Sequence, residues 1–127
     1  MGQKFLSDEW ATAVTDALNS NEQFKQAAGS HTAKIQNVVS TPDGETKYYF
    51  LLQDGKAEVS LGEVDGPEAV ISQDYDTAAA LMRNELSATA AYMSGRIRIN
   101  GDLMRLMQLQ GVIGTLPAAT KDIDIEY

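Results

Sequence analysis

The sequence predicts an α+β fold in which capped helices flank a mainly antiparallel sheet. Strand patterns separated by turn signals occupy residues 32–72, and helical patterns with capping residues precede and follow them. The 127 residues are enough to bury a core. We therefore expect one domain over 1–127, with an acidic tail at 113–127 that either stays loose or docks as an edge strand.

Two helices open the chain. Ser7 is placed to cap the first, because acidic residues follow it and apolar residues then recur at helical spacing. Ser20, with Gln23 three residues later, forms a capping box for a second, shorter helix. We expect Trp10 and Phe24, one from each helix, to share a pocket of the core.

Four strand patterns follow the helices. Residues 32–39 alternate between apolar and polar, which is the period of a strand with one buried face. Two turn signals, Pro-Asp-Gly and then Asp-Gly, predict that 47–52 and 56–61 return antiparallel. A short fourth strand is expected at 68–72. In segment 47–52 the five consecutive residues after Lys47 are apolar or aromatic. We therefore expect this strand to be buried on both faces, or buried on one face and lining a cavity on the other.

A strand between two helices dominates the last third. Gly95 is placed to end the helix that Ser87 begins, and Asp102 to cap the next helix. Helices separate strand 96–100 from the earlier strands, so it must rejoin the sheet through a crossover. Only two residues of 103–109 are polar, a wider apolar surface than one core requires. This predicts apolar material on more than one side of the last helix.

Composition excludes several classes of partner and site. With 10 Lys+Arg against 18 Asp+Glu the net charge is -8, which argues against nucleic acid because phosphate contacts need clustered cations. The absence of Cys excludes disulfides and thiolate metal sites. No apolar run has the length of a secretory signal or a membrane span. The expectation is a soluble cytoplasmic monomer or homodimer that makes at most transient membrane contact.

Catalytic and metal-binding residues are sparse. His31 is the single histidine, and no nucleophile motif accompanies it. Asp74 and Asp76 resemble a carboxylate pair, but one of them must cap the helix expected at 76–86. The sequence predicts no metal and no cofactor, and it leans away from an enzyme. Three arginines are candidates for an anionic head group, and cations balancing nearby carboxylates are the alternative: Arg96, Arg98 and Arg105.

Apolar side chains crowd the last third of the chain, and four of the five methionines lie between 82 and 107. Methionine adapts to irregular gaps and varied apolar guests, so this region is compatible with a ligand cavity. An ordinary core is the alternative.

Segment 92–102 reads YMSGRIRINGD: an aromatic residue, Met, a polar residue, Gly, a basic and aliphatic alternation, and Gly-Asp opening a helix. It resembles the signature segment of the sterol carrier protein type-2 domain family, with Tyr92 where Phe is usual. The resemblance implies about five strands with helices on one face, enclosing an apolar tunnel for sterols, fatty acids or acyl-CoA. The predicted ligand-binding residues are Tyr49, Leu51, Met82, Leu86, Tyr92, Met93, Ile97, Ile99, Leu103, Met104, Leu106 and Met107.

Three functions follow as hypotheses. The first is binding, with or without transfer, of a hydrophobic small molecule or lipid inside the cell, without catalysis. The second is a small enzyme that reuses the tunnel, with Tyr92, His31 or an arginine as acid or anchor. The third is an interaction module whose last helix docks on a partner or on its own copy.

Overall fold

The structure is a computed structural model that describes residues 2–29 and 31–127. Its helices are α1 (Asp8–Asn19), α2 (Glu22–Ala28), α3 (Tyr75–Met82), α4 (Ala88–Met93), α5 (Leu103–Gln108), α6 (Gln110–Ile113) and α7 (Leu116–Thr120). Its strands are β1 (Gln3–Lys4), β2 (Ala33–Thr41), β3 (Gly44–Gln53), β4 (Lys56–Leu61), β5 (Ala69–Asp74), β6 (Ile97–Gly101) and β7 (Ile125–Glu126).

Five of the strands form a mixed, mostly antiparallel sheet in the order β4-β3-β2-β5-β6. The two predicted hairpins are confirmed, since β3 lies antiparallel to both β2 and β4. β5, for which the sequence predicted a strand but no direction, runs parallel to β2 on the side away from β3. β6 rejoins the sheet as predicted and pairs antiparallel with β5 at the sheet edge. Because β5 and β6 are consecutive strands, their connection is not a crossover, and that part of the prediction was wrong.

The connection from β4 to β5 explains the parallel pair. After β4 the chain must pass β3 and β2 to reach its place beside β2. The Gln36 amide holds this connection, since it donates to the Gly62 carbonyl at 2.9 Å and accepts from the Val64 N–H at 2.8 Å. Gln36 is therefore a polar residue buried in a strand with its hydrogen-bonding groups paired.

One face of the sheet, called here the inner face, carries the core. Ala33, Ile35 and Val39 of β2 lie on this face. The residues of β3 and β5 that pair with them lie on it as well. Helices α1 and α3 contact β4, β2 and β5, while α7 packs on α1. The residues that alternate with this set form the outer face of the sheet.

Strand β3 has apolar and aromatic residues on both faces, but only one of the two faces packs into the core. Tyr48, Phe50 and Leu52 lie on the inner face and pack into the core. Tyr49 and Leu51 lie on the outer face and are half-buried. The Tyr49 hydroxyl donates to the Glu58 carboxylate at 3.1 Å. The consecutive apolar residues of β3 therefore serve a core on one side and a partly exposed surface on the other.

Most of the predicted helix caps are confirmed. The side chains of Ser7, Asp74, Ser87 and Asp102 each accept a hydrogen bond from a backbone amide three residues later. The capping box at Ser20 was wrong. Asn21 caps α2 by accepting from the Phe24 amide at 2.8 Å, while the Ser20 amide closes the end of α1. An Asn side chain one residue later makes the same bond, and sequence spacing does not separate the two.

The remaining expectations concern two aromatic residues and the tail. Trp10 and Phe24 lie in one core but contact different rings of β3, with Trp10 against Tyr48 and Phe24 against Phe50. The end of the chain pairs through β7 with β1 in a parallel two-stranded ribbon, apart from the large sheet. None of the helices in the described part of the chain has the length and apolar character of a membrane span.

Candidate ligand-binding site

The inner face is only partly covered along the β5–β6 pair, as it is at Tyr48 and Phe50 of β3. Ile71 and Ile99 lie opposite each other there, and both are half-buried although they pack against the core. On either side of them along the strands, Ala69 and the Gln73–Ile97 pair are buried. Apolar surface therefore remains accessible in the middle of this pair.

Helices α3 and α4 border this surface on one side. Met82, the last residue of α3, is half-buried and packs against the core. Ala91 is the fully buried residue of α4, whereas Tyr92 is 42% and Met93 78% exposed. The Ala91 carbonyl accepts from the Arg96 amide at 2.8 Å, after Gly95 has turned the chain with a φ of 79°. The side chain of Tyr92, the residue that stands where Phe is usual, therefore reaches the surface.

Helix α5 begins directly after β6, at the end of that strand away from α4. Leu106 and Leu109 are buried in the core, so one side of α5 seats it on the fold. Leu103, Met104 and Met107 are 38%, 66% and 54% exposed. The predicted surplus of apolar surface on this helix therefore faces solvent in the described part of the chain, and no apolar partner covers its second side.

A close junction positions α5 relative to β5. Gly101 has a φ of 117°, and a Cβ at this position would lie 2.4 Å from the Glu68 carbonyl oxygen. The next amide, that of Asp102, donates to the same oxygen at 2.9 Å. The Asp102 carboxylate then accepts from the Arg105 amide at 3.0 Å and starts the helix. Glycine is needed here because no side chain fits between the two strands.

The three candidate arginines have separate surroundings. Arg96 Nε donates to the Thr77 hydroxyl at 3.2 Å, where α3 begins. Arg105 pairs with Glu68 at 3.3 Å and donates to the Thr32 carbonyl, at the other end of β5. Arg98 is exposed on the outer face, opposite Ser72. The three guanidinium groups therefore do not converge on one head group.

The other predicted ligand residues fall into two groups. Leu86 is half-buried in the segment between α3 and α4, and Ile97 is buried on the inner face. Tyr49 and Leu51 lie on the outer face, away from this surface. Two open depressions border α1, and Leu51 lines the second of them. Neither depression lies along β5 and β6, so the enclosed tunnel stays a prediction.

Sequence reasoning missed a buried polar group on the inner face. Asn37 and Gln73 are each 8% exposed, and Gln73 Nε2 donates to Asn37 Oδ1 at 3.5 Å. Tyr48 lies opposite Asn37 on β3, and burial raises the pKa of its phenol to about 12. The signal was available in β2, since Asn37 has the same parity as the apolar positions Ile35 and Val39.

Asp74 and His31, the residues considered for catalysis, are not part of a catalytic arrangement in the described part of the chain. The Asp74 carboxylate caps α3, and hydrogen bonds from the Thr77 hydroxyl and amide hold its pKa below the usual range. The His31 amide bonds to the Ala28 carbonyl at 2.8 Å, just before β2. Among residues 2–29 and 31–127, no cluster of three or more His, Asp or Glu side chains could hold a metal ion.

Known proteins resemble this chain in both sequence and structure. The model of the SCP-2 sterol transfer family matches residues 14–114. Stomatin-like protein 1 of Mus musculus is 40% identical over 86 residues, which are 66% of this chain and 22% of that protein. The chain thus spans about a fifth of the length of stomatin-like protein 1 from Mus musculus and from Homo sapiens.

Two solved structures share the fold. The crystal structure of sterol carrier protein 2 superposes with a TM-score of 0.80 at 20% identity, over 94% of this chain and 98% of that one. The solution structure of palmitated SCP2L2 from Aedes aegypti has a TM-score of 0.66 at 18% identity, over 80% and 88% of the two chains. Since the family model covers most of the sequence and the fold agrees with it, the chain belongs to the SCP-2 sterol transfer family.

Proposed function

We propose that this chain binds a hydrophobic ligand, a sterol or another lipid, on the inner face of β5 and β6 between α3–α4 and α5. The observation that carries the proposal is the half-burial of Ile71 and Ile99 at the middle of the β5–β6 pair, on the sheet face that packs the core. A paired strand residue on a core face is normally covered, so accessible apolar surface there favours a guest. In this proposal Ile97 adds to the sheet surface beneath the ligand, and Met82 borders the ligand from α3.

The family supports the class of ligand. SCP-2 family membership implies lipid or sterol binding or transfer, and the Aedes aegypti relative was solved in a palmitated form. Burial of each methylene contributes roughly 0.8 kcal/mol, so a long alkyl chain gains on the order of 10 kcal/mol before ordering costs. This gain needs no catalytic group, and the described residues offer no cluster that would bind a metal.

The exposed methionines fit the same proposal. Leu103, Met104 and Met107 on α5, with Tyr92 and Met93 on α4, lie at the two ends of β6. An apolar guest or a transient membrane contact would cover part of this surface, and Met side chains adapt to either. The ligand-facing set that we retain is therefore Met82, Leu86, Tyr92, Met93, Ile97, Ile99, Leu103, Met104 and Met107.

The first test replaces one methionine by a polar side chain of similar shape. Met82→Gln should lower the affinity for a fluorescent sterol or a fluorescent fatty acid by about 5- to 20-fold, because a polar amide loses the transfer gain of the thioether. Leu51→Gln is the matched control, since Leu51 is also half-buried but lies on the outer face. Titration by fluorescence, with thermal unfolding to check the fold, measures both variants.

Two outcomes would reject the proposal. One is a wild-type protein that takes up no apolar probe and carries no lipid when native mass spectrometry is applied to protein from its own host. The other is an equal loss of affinity in Met82→Gln and Leu51→Gln, which would mean that the bound probe does not distinguish the two faces of the sheet.

A second candidate function is docking of α5 on a protein partner or on a second copy. It is favoured by the 66% and 54% exposure of Met104 and Met107, which the described chain leaves uncovered. If this is the role of α5, Met104→Asp should convert an oligomer to a monomer in light scattering without changing lipid uptake. Leu106→Asp is unsuitable for this test because Leu106 is a core residue and the variant should unfold. A wild-type monomer at every accessible concentration, with uptake lost in Met104→Asp, assigns α5 to the ligand instead.

A further inference from the structure

The buried polar pair on the inner face leaves one hydrogen-bonding atom without a partner. Gln73 Nε2 is directed at Asn37 Oδ1, at 3.5 Å. Gln73 Oε1 is buried and has no hydrogen-bond partner among the described residues. A buried carbonyl oxygen without a donor is costly, so such an atom in a folded protein calls for a partner that completes it.

Gln73 lies on the sheet face at which the hydrophobic ligand is proposed to bind, and its Oε1 atom is buried beneath that face's accessible part. Gln73 is two residues along β5 from Ile71 and therefore on the same face, and it pairs with Ile97 on β6. Asn37, its hydrogen-bond partner, lies opposite Ile71 on β5 and opposite Tyr48 on β3. The apolar surface of β5 and β6 thus has one polar end, and the acceptor at that end is unoccupied by any group of the described chain.

We propose that Gln73 Oε1 is the polar anchor of the ligand site and accepts a hydrogen bond from a neutral hydroxyl group, as in a sterol or a long-chain alcohol. This inference rests on the proposed function. A hydroxyl supplies the missing donor without bringing a charge into the core. An ester or ether oxygen cannot donate, so it leaves the carbonyl unsatisfied.

A carboxylate suits this end of the site poorly. At neutral pH a fatty acid has no proton to donate, and its charge would face the Gln73 carbonyl dipole. The cation at this end is Arg96, whose Nε is directed at the Thr77 hydroxyl and whose charge acts on the Asp74 carboxylate. Asp74 is itself an anion adjacent in sequence to Gln73 and would repel a second one.

The test compares three ligands with the same sixteen-carbon chain length: hexadecan-1-ol, its methyl ether and palmitate. Displacement of a bound fluorescent sterol gives the three affinities. We expect wild type to bind the alcohol about 5- to 10-fold more tightly than the ether, the ratio that one neutral hydrogen bond supplies. Gln73→Met keeps the shape of the side chain and should bring this ratio to about one. Gln26→Met, at an exposed position of α2, should leave it unchanged.

The outcomes separate this inference from the proposed function. Equal affinity for alcohol and ether in wild type, or a preference that survives in Gln73→Met, overturns the inference alone. Tighter binding of palmitate than of the alcohol also overturns it and assigns the polar end to Arg96. Binding of none of the three ligands would overturn the proposed function with it. If Gln73→Met does not fold because Asn37 has lost its partner, the double variant Asn37→Leu/Gln73→Met removes both amides and makes the same comparison.

Discussion

Gly101 decides at a single residue how the last helix joins the sheet. The glycine is the last residue of the edge strand β6 and has a φ of 117°, and the Glu68 carbonyl occupies the space that a side chain would need. The Asp102 amide then donates to the same carbonyl. The Asp102 carboxylate accepts from the Arg105 amide and so starts α5. The turn after β6, the hydrogen bond to Glu68 and the cap of α5 therefore all depend on the absence of a Cβ at position 101.

Gly101→Ala should lower the free energy of unfolding by about 2–3 kcal/mol, because the new methyl group combines a strained φ with a backbone clash. Gly111→Ala is the control: it lies in α6 with open space where its methyl group would stand, so the free energy should change by less than ~1 kcal/mol, in the stabilising direction. Urea denaturation of the two variants measures the difference. Equal stability of both would show that the β6–α5 junction relaxes freely.

Tyr48 makes stability sensitive to alkaline pH. Burial raises the pKa of its phenol to about 12, so the folded state binds the phenolic proton more tightly than the unfolded chain does. The resulting contribution to stability is complete below about pH 10 and is lost as the pH rises toward 12. Tyr48→Phe should remove this part of the pH dependence, whereas Tyr49→Phe, on the outer face, should retain it. The test is to measure denaturant midpoints between about pH 9 and 12 for the three proteins. If the midpoint falls with pH equally in wild type and Tyr48→Phe, the alkaline loss of stability does not come from Tyr48.

At the scale of elements, α1 protects an edge of the sheet. β4 is an edge strand, and its outward backbone groups would otherwise invite another chain. The Asn19 amide pairs with both the N–H and the carbonyl of Ala57, at 2.8 and 2.9 Å, as a neighbouring strand would. The Thr15 hydroxyl accepts from the Val59 amide at 2.8 Å, one ladder step away. Helix side chains thus continue the hydrogen bonding of the sheet.

Asn19→Ala should cost about 1–3 kcal/mol of unfolding free energy, because it leaves the Ala57 amide and carbonyl without partners at a partly buried edge. The control is Thr12→Ala, an exposed change on the same helix that should stay within ~0.5 kcal/mol. Denaturation gives the free energies, and light scattering reports whether the freed edge promotes association. A variant as stable as the control, and equally monodisperse, would mean that solvent replaces the amide at no cost.

At the scale of the whole molecule, the mixed sheet brings distant segments to one surface. Because β5 lies beside β2 and not beside β4, Gln73 meets Asn37 and the β5–β6 pair forms one end of the inner face. At the other end α1 packs on β4, α7 packs on α1 and α2, and α6 packs on α2. The candidate site therefore arises from the order of the strands more than from any one motif.

The predictions that succeeded concern local interactions. Ser7, Ser87 and Asp102 cap helices because a side-chain oxygen reaches an amide three residues away, and the hairpins follow from turns of a few residues. The signature segment 92–102 led to the family in the same way, since its order of residue types is contained in eleven consecutive positions. The error at Ser20 shows the limit of this reasoning, because Asn21 next to it competes for the same amide.

The sequence by itself determined the order of the helices and strands from α1 to α5, most of their caps and turns, the family and an apolar surplus in α5. Only the tertiary structure decided that β5 is parallel to β2, that Tyr49 and Leu51 face away from the core, and that Met104 and Met107 are exposed. It alone brought Gln73 to Asn37, 36 positions apart in the chain. The physical reason is range: capping and turn energies act within a few residues, whereas strand order and burial depend on packing among segments that the sequence separates widely.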